Sequence, residues 1–264
     1  MTDYAHARHA GNAGDVLKHV ALLALIETLT RDPAPLTYVE THAGDGLYPL
    51  GSSGEWGEGI ERVWSVRDGL PGRYAEIARS FSPPGAQRPL AVPGSPLVAR
   101  SVLRTEDRML LHEIDARSAG LLRRALPQAE VREADGLRAV PDALREASRA
   151  LVLIDPPYSQ KQEWTDAARA MEKLSTTPAV LWYPVKALTR PRALIAELAK
   201  LGVHGTAVEL HWTPLRLKRD RLNGAGLILA GVPAEAVASI CAAIPALGAA
   251  LQTHGEWGAV QIGF

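Results

Sequence analysis

Leu151-Val152-Leu153-Ile154-Asp155-Pro156-Pro157-Tyr158 decides the fold. Four apolar residues in a row, without polar alternation, form a strand buried on both faces, as in a parallel sheet covered by helices. Ligands of such open α/β sheets sit just beyond the carboxyl ends of the strands, which is where the polar tetrapeptide falls. Two successive prolines set φ and carry no N–H, so the turn is stiff and presents bare carbonyls. A carboxylate, free carbonyl acceptors and an aromatic face suit a planar base with an exocyclic amino group. The acceptors take its two N–H protons and the ring stacks on Tyr158. A plain Asp-Pro turn accounts for two of these residues but not for all four.

Working outward, strand and helix patterns alternate as a doubly wound fold requires. Leu36-Thr37-Tyr38-Val39 runs into Glu40-Thr41-His42-Ala43-Gly44-Asp45-Gly46, where glycines let backbone approach a ligand closely. Met109-Leu110-Leu111-His112 ends at Glu113, whose carboxylate can accept both hydroxyls of a ribose. A short strand at Val131-Arg132-Glu133-Ala134 ends at Asp135-Gly136, where an acceptor meets an adenine amino group. Each acid alone is compatible with a solvated turn; four strand ends in register are not. The third glycine of a dinucleotide-binding G-x-G-x-x-G would fall at Pro49, which argues against a nicotinamide dehydrogenase. With Asp155-Pro156-Pro157-Tyr158, the Gly44 loop resembles the signature of S-adenosylmethionine-dependent amino methyltransferases.

Composition permits such an enzyme. A chain of 264 residues with 47% hydrophobic content can bury one large core, with or without an insertion. The single cysteine, Cys241, excludes an intrachain disulfide and fits a reducing, cytoplasmic compartment. No charged-then-apolar leader suggests export. The alanine-rich stretch 236–251 is interrupted by Pro245, falls short of a membrane span, and is expected to form one or two packed helices. The 29 basic and 29 acidic side chains cancel, so a nucleic-acid partner must meet a local basic patch.

One interval is wrong for a bare Rossmann core. About twenty residues usually separate the glycine loop from the ribose-binding acid, yet Gly46 and Glu113 lie much further apart. The intervening chain is rich in turn formers, with short helical pieces expected at Trp64-Ser65-Val66 and Tyr74-Ala75-Glu76-Ile77-Ala78. Residues 47–94 are therefore expected to be an inserted, mostly helical subdomain beside the cofactor pocket, flanked by a core of residues 1–46 and 95–264. Ser95 is expected to cap a helix over 97–103. At the N-terminus, Asn12 is expected to cap an amphipathic helix carrying Lys18 and His19. The polar segment before it, with Tyr4, His6 and His9, is expected to form a lid. The spacing His6-x-x-His9 lacks a third clustered ligand, so no metal is expected.

These blocks are similar to those of one family. Tyr4-x-His6-x-x-His9-Ala10-Gly11-Asn12-x-x-Asp15-Val16-Leu17-Lys18-His19, Thr41-His42-Ala43-Gly44, Pro93-Gly94-Ser95-Pro96-Leu97, Ala134-Asp135-Gly136, Asp155-Pro156-Pro157-Tyr158 and Leu181-Trp182-Tyr183-Pro184 resemble the bacterial 23S ribosomal RNA adenine-N6 methyltransferases nearly end to end. The resemblance implies a Rossmann-like class I methyltransferase fold with an inserted small helical subdomain. It implies that His19, His42, Gly44, Ser95, Glu113 and Asp135 with Gly136 bind S-adenosylmethionine. Asp155 would be the catalytic acceptor, with the Pro156 carbonyl and Tyr158 beside it, and Tyr4, His6 and Lys18 would serve the active site. The substrate implied is 23S ribosomal RNA, without a membrane or an obligate protein partner. Asp45, bulkier and charged, departs from the family's glycine loop.

Between the strand patterns at 207–212 and 225–230 lies Arg216-Leu217-Lys218-Arg219-Asp220-Arg221-Leu222-Asn223-Gly224. Its connection emerges on the catalytic face, where Lys218, Arg219 and Arg221 are expected to neutralise RNA phosphates. Other readings are methylation of another amine, guanine N2 or DNA adenine N6, and a noncatalytic RNA-binding protein on the same scaffold. The second would be expected to have lost Asp155 or the glycine loop, and both are intact.

Overall fold

The computed structural model describes residues 9–145, 147–174, 176–217 and 222–264. Its centre is β1 (Thr37–Glu40), buried at all four positions. β1 pairs in parallel with β4 (Arg108–Glu113) on one side and with β6 (Ala150–Ile154) on the other, Val39 lying opposite both Leu110 and Val152. The sheet continues in parallel through β5 (Glu130–Glu133) beyond β4, and through β7 (Ala179–Val185) beyond β6. β9 (Gly224–Ala230) then runs antiparallel between β7 and β8 (Gly205–His211). The eight-stranded order is β10-β8-β9-β7-β6-β1-β4-β5. This is the expected α/β, Rossmann-like class I methyltransferase sheet, with its strand direction reversed at β9. β10 (Gly258–Gly263), an antiparallel edge strand on β8, was not expected. Its alternating half-buried and exposed residues leave little apolar signal.

The uninterrupted apolar run of β6 divides between two layers. Leu151 and Leu153 pack on the side of α1 (Ala13–Leu29), while Val152 and Ile154 pack on the side of α7 (Gln162–Glu172) and α8 (Thr189–Lys200). A strand with period-two side chains can be apolar throughout only when both faces are covered. α1 is buried almost all round, because α9 (Ala234–Leu251) covers its outer side together with residues of the 47–94 segment. α9 is a single helix passing through Pro245 rather than two. It is long and apolar enough to pass a composition test for a membrane span, but Ala236, Ile240, Ala243, Leu247 and Leu251 form a stripe buried against this core. Arg62 donates to the carbonyls of Leu251 and Gln252 and closes the C-terminal end of α9.

The 47–94 segment, expected to be mostly helical, is helical over less than half of its length. It holds a 3₁₀ turn (Glu55–Glu58), α2 (Ile60–Val63) and α3 (Gly69–Arg79). The first helical piece therefore precedes the stretch expected, with Trp64 only its C-cap. The ends of the segment are joined by a two-stranded ribbon of β2 (Leu47–Pro49) and β3 (Ala91–Pro93), which a helical reading missed. Trp56, Ile60, Val63, Trp64 and Tyr74 belong to the same apolar cluster as α1. α4 starts at Ser95 and ends at Arg100. The expected Ser95 cap is corrected: Gly94 holds the cap position, and the Ser95 hydroxyl donates instead to Glu40 Oε1 at 2.5 Å.

The segment docks on the N-terminus of α1 by backbone: Ile60 N donates to the Gly11 carbonyl at 2.8 Å. A Cβ on Gly59 would lie 2.1 Å from that same carbonyl oxygen and 2.4 Å from the Asn12 carbonyl carbon. Backbone cannot yield as a side chain does, so Gly59→Ala should destabilise the protein by about 1–3 kcal/mol. Chemical denaturation measures this, and a variant as stable as the parent would show that the docking is loose.

Candidate active site

The carboxyl ends of β1, β4, β6 and β7 open onto a cleft of about 510 Å³. Its wall on the α1 side begins with Asn12, which accepts a hydrogen bond from Asp15 N at 3.0 Å and caps the helix as expected. One oxygen of Asp15 then accepts from Gly11 N at 2.9 Å, and the other accepts from Lys18 Nζ at 2.8 Å. The i,i+3 spacing puts Asp15 and Lys18 on one helix face. Lys18 Nζ also reaches Asp155 Oδ2 at 2.5 Å, 137 residues along the chain, so one ammonium sits between two carboxylates distant in sequence. Burial alone would lower its pKa; Asp15 and Asp155 outweigh that and hold it well above the ordinary lysine value. The group is a permanent cation flanked by two anions.

Asp155-Pro156-Pro157-Tyr158 lines the cleft as the strand-end argument required. Tyr158 has φ of 52°, and it is the only non-glycine with positive φ among the described residues. That left-handed conformation costs energy for a bulky side chain and persists only where the surroundings enforce it. The enforcement is visible: the Tyr158 hydroxyl donates to the Trp182 carbonyl at 2.8 Å, and its ring packs on Trp164 with centroids 4.5 Å apart. Trp182 Nε1 in turn donates to the Gly14 carbonyl at 3.3 Å, tying this corner to α1.

Across the cleft, Gly44 and Gly46 take φ of 64° and 82°. Gly44 N donates to Glu113 Oε2 at 2.8 Å, and Asp115 N donates to Glu113 Oε1 at 2.9 Å. Each carboxylate oxygen keeps acceptor capacity for a further donor. His42 lines the cleft with Nδ1 2.7 Å from the Thr41 hydroxyl, and burial lowers its pKa. His19 is buried; burial first, then the Lys18 charge, push its pKa down to about 3. Its Nδ1 lies 3.1 Å from the Tyr74 hydroxyl, while Nε2 has no partner among the described residues. An orphaned buried nitrogen at a cleft wall, a glycine loop in left-handed backbone and an acid after β4 are a donor set that fits an adenosyl amino acid. Beneath them Glu40 is fully buried, accepting from Ser95 Oγ at Oε1 and from the Tyr38 hydroxyl at 2.7 Å at Oε2.

The structure thus brings together Lys18, His19, His42, Gly44, Ser95, Glu113, Asp155, Pro156 and Tyr158 around one cleft. Asp135 and Gly136 do not line it. Asp135 Oδ1 accepts from Leu137 N at 3.1 Å, and its other oxygen pairs with Arg138. The acid acts on His42 only through its charge. Gly136 has a structural reason of its own, since a Cβ there would lie 2.2 Å from the Thr41 carbonyl oxygen. Tyr4, His6, Lys218, Arg219 and Arg221 lie outside the described residues. Sequence reasoning passed over Tyr48 and Tyr74, which come from the inserted segment, and Lys186, which follows β7. It placed Asp15 on the helix but gave it no role, although the i,i+3 spacing to Lys18 was the available signal.

Comparison with known proteins follows this geometry. The family described as "Ribosomal RNA large subunit methyltransferase D, RlmJ" matches residues 33–262. The chain is 35% identical over 250 residues to a "Ribosomal RNA large subunit methyltransferase J" of Escherichia coli (strain K12), covering 88% of each protein. It is 33% identical over 219 residues to the protein of the same description from Haemophilus influenzae, covering 77% of each. Among solved structures, a crystal structure of a Legionella pneumophila protein superposes with a TM-score of 0.87 at 28% identity, covering 97% of this chain and 98% of that one.

Burial pushes Glu40 up to about 7, against the hydrogen bonds from Ser95 and Tyr38, which lower it. A carboxyl whose folded pKa exceeds its unfolded value contributes stability that is complete below the unfolded value, about 4.5, and lost as pH rises through about 7. Neutral His19 has the opposite sign, its contribution being lost as pH falls from 6.5 toward 3. That second effect is common to parent and variant. Between pH 5 and 8 the parent should therefore lose on the order of 1–3 kcal/mol relative to Glu40→Gln. Parallel stability profiles for the two proteins over that range would contradict it.

Proposed function

The chain belongs to the RlmJ family of large-subunit ribosomal RNA methyltransferases, and from that premise we propose that Asp155, the Pro156 carbonyl and Tyr158 hold one extruded adenine in the cleft. The enzyme transfers a methyl group from S-adenosylmethionine to the N6 amine of an adenine in 23S ribosomal RNA. The observation that carries the residue assignment is the Asp15–Lys18–Asp155 triad at the end of β6, beside two prolines whose turn supplies bare carbonyls.

The N6 lone pair is delocalised into the adenine ring, so the amine must be aligned rather than merely made basic. With Asp155 Oδ2 engaged by Lys18, Oδ1 accepts one N–H. The Pro156 carbonyl accepts the other, and the lone pair is directed along the line of transfer. Alignment of this kind contributes much of the rate of such reactions. S-adenosylmethionine supplies the electrophilic methyl on a cationic sulfur. Two carboxylates and one ammonium leave the triad with a net charge of −1, which favours positive charge arriving on N6. The surplus proton then leaves to Asp155 or to water. Neutral His19 adds no opposing charge. Tyr158, held rigid by Trp182 and Trp164, offers its face to the base.

His19, His42, Gly44, Ser95 and Glu113 are proposed to hold the cofactor, with Asp135 and Gly136 shaping the loop beside it. Residues 47–94 are proposed as an inserted subdomain that walls the cofactor end, supported by Tyr48 on the lining and Tyr74 on His19. Tyr4 and His6 are proposed to close over the base. Lys218, Arg219 and Arg221 are proposed to contact RNA phosphates. The support is their connection, which leaves the sheet beside the cleft, with Leu222 on the lining. The protein is proposed to act in the cytoplasm, where its ribosomal RNA substrate is found.

Nucleoside mass spectrometry of 23S RNA incubated with the protein and labelled S-adenosylmethionine tests the chemistry. N6-methyladenosine is expected; N2-methylguanosine, or efficient methylation of duplex DNA, would overturn it. Asp155→Ala should abolish transfer yet leave cofactor affinity within a few-fold by calorimetry. The fold should survive because Lys18 keeps Asp15 as its partner. Complete loss of cofactor binding in a folded variant would move Asp155 into the cofactor site.

A further inference from the structure

The cleft is electrically polarised along its length. Its cofactor end carries Glu113 and Asp115, while its other end, past Tyr158, Trp182 and Pro184, carries Lys186. Lys186 is the first residue after β7, and the segment running from it into α8, Lys186-Ala187-Leu188-Thr189-Arg190, holds two exposed cations and no acid. Among the described residues neither cation has a carboxylate within ion-pair reach. Arg190 instead lies over Trp164, its guanidinium carbon 5.8 Å from the ring centroid. Trp164 is the ring on which Tyr158 packs, so Arg190, Trp164 and Tyr158 form one row leading to the base-holding corner.

The nearby acids are already committed. Asp155 faces Lys18, and Glu163 accepts from Ser159 Oγ and Gln160 N. Register adds a second observation. Val185 pairs with Gly224, and Asn223 N donates to the Val185 carbonyl at 3.0 Å. Lys186 therefore emerges alongside Leu222 and Asn223. Lys186 and Arg190 are both exposed on this side of the mouth, in a protein whose net charge is zero. Two unpaired cations beside an aromatic corner whose neighbouring acids, Asp155 and Glu163, are already engaged match a polyanion passing on that side of the cleft.

We infer that Lys186 and Arg190 form a phosphate-contacting strip that holds the RNA backbone flanking the target adenine. This rests on the RNA substrate stated above. An extruded base leaves its two flanking phosphates at the mouth of the pocket, and exposed, unpaired Lys and Arg side chains meet them without a desolvated partner to displace.

The test is the double variant Lys186→Ala/Arg190→Ala, assayed on protein-free transcribed 23S RNA beside the parent and the conservative Lys186→Arg/Arg190→Lys. KM for RNA should rise on the order of tenfold at low salt, and the log–log salt slope should fall by roughly 1.4–1.8, two phosphate equivalents. Cofactor affinity and thermal midpoint should hold, and the conservative variant should recover most of the RNA affinity. If the parent methylates the RNA and the alanine variant matches it in KM and salt slope, the strip is overturned. Loss of cofactor binding in the variant would overturn it too, by placing these residues at the other end of the cleft. If the parent itself neither binds nor methylates RNA, the substrate reading fails instead.

Discussion

Everything near the active site depends on one ammonium. Lys18 Nζ is held between Asp15 on its own helix and Asp155 at the end of β6, and only 7% of the residue is exposed. Removing one partner of a buried ion pair typically costs about 3–5 kcal/mol because the other is stranded. A three-member arrangement is more forgiving, since either carboxylate can be lost and the ammonium still has a partner. The contact also fixes distance. It sets how far the first helix stands from the strand that carries Asp155-Pro156-Pro157-Tyr158, and the Trp182 to Gly14 hydrogen bond sets the same spacing a second time.

The fold was legible because its strongest signals are local. An unbroken apolar strand and an acid at each of four strand ends were enough to read the sheet and the edge on which its cleft opens. Boundaries moved by one or two residues, as Thr37–Glu40 shows against a reading that began at Leu36. What escaped was non-local or weakly patterned. The β2–β3 ribbon joins residues more than forty positions apart through three pairs, and no short window reveals it. β10 is half-exposed and contains two glycines, so periodicity is silent there.

At the site, residue types were readable and their partners were not. Ser95 was recognised beside a helix start, where a capping role is the ordinary expectation; the buried Glu40 carboxyl competes for its hydroxyl and wins. Asp135 was read as an acceptor for a ligand, but the helix N-terminus that follows it supplies backbone N–H groups closer at hand. Tyr74 could not be assigned from sequence because its importance lies in meeting His19 across 55 residues. For Ser95 and Tyr74 a tertiary neighbour decides where the side chain is engaged, and for Asp135 a local one does.

α1 is both the most deeply packed helix of one layer and the bearer of Asp15, Lys18 and His19. Altering the angle of these side chains means repacking the core, so divergence within such a lineage is steered away from the reaction centre. The parts free to vary are those hung from the rim: the inserted segment, the basic connection between β8 and β9, and the turn after β7. New RNA targets can be acquired there by exchanging surface residues, while the methyl-transfer geometry is inherited unchanged.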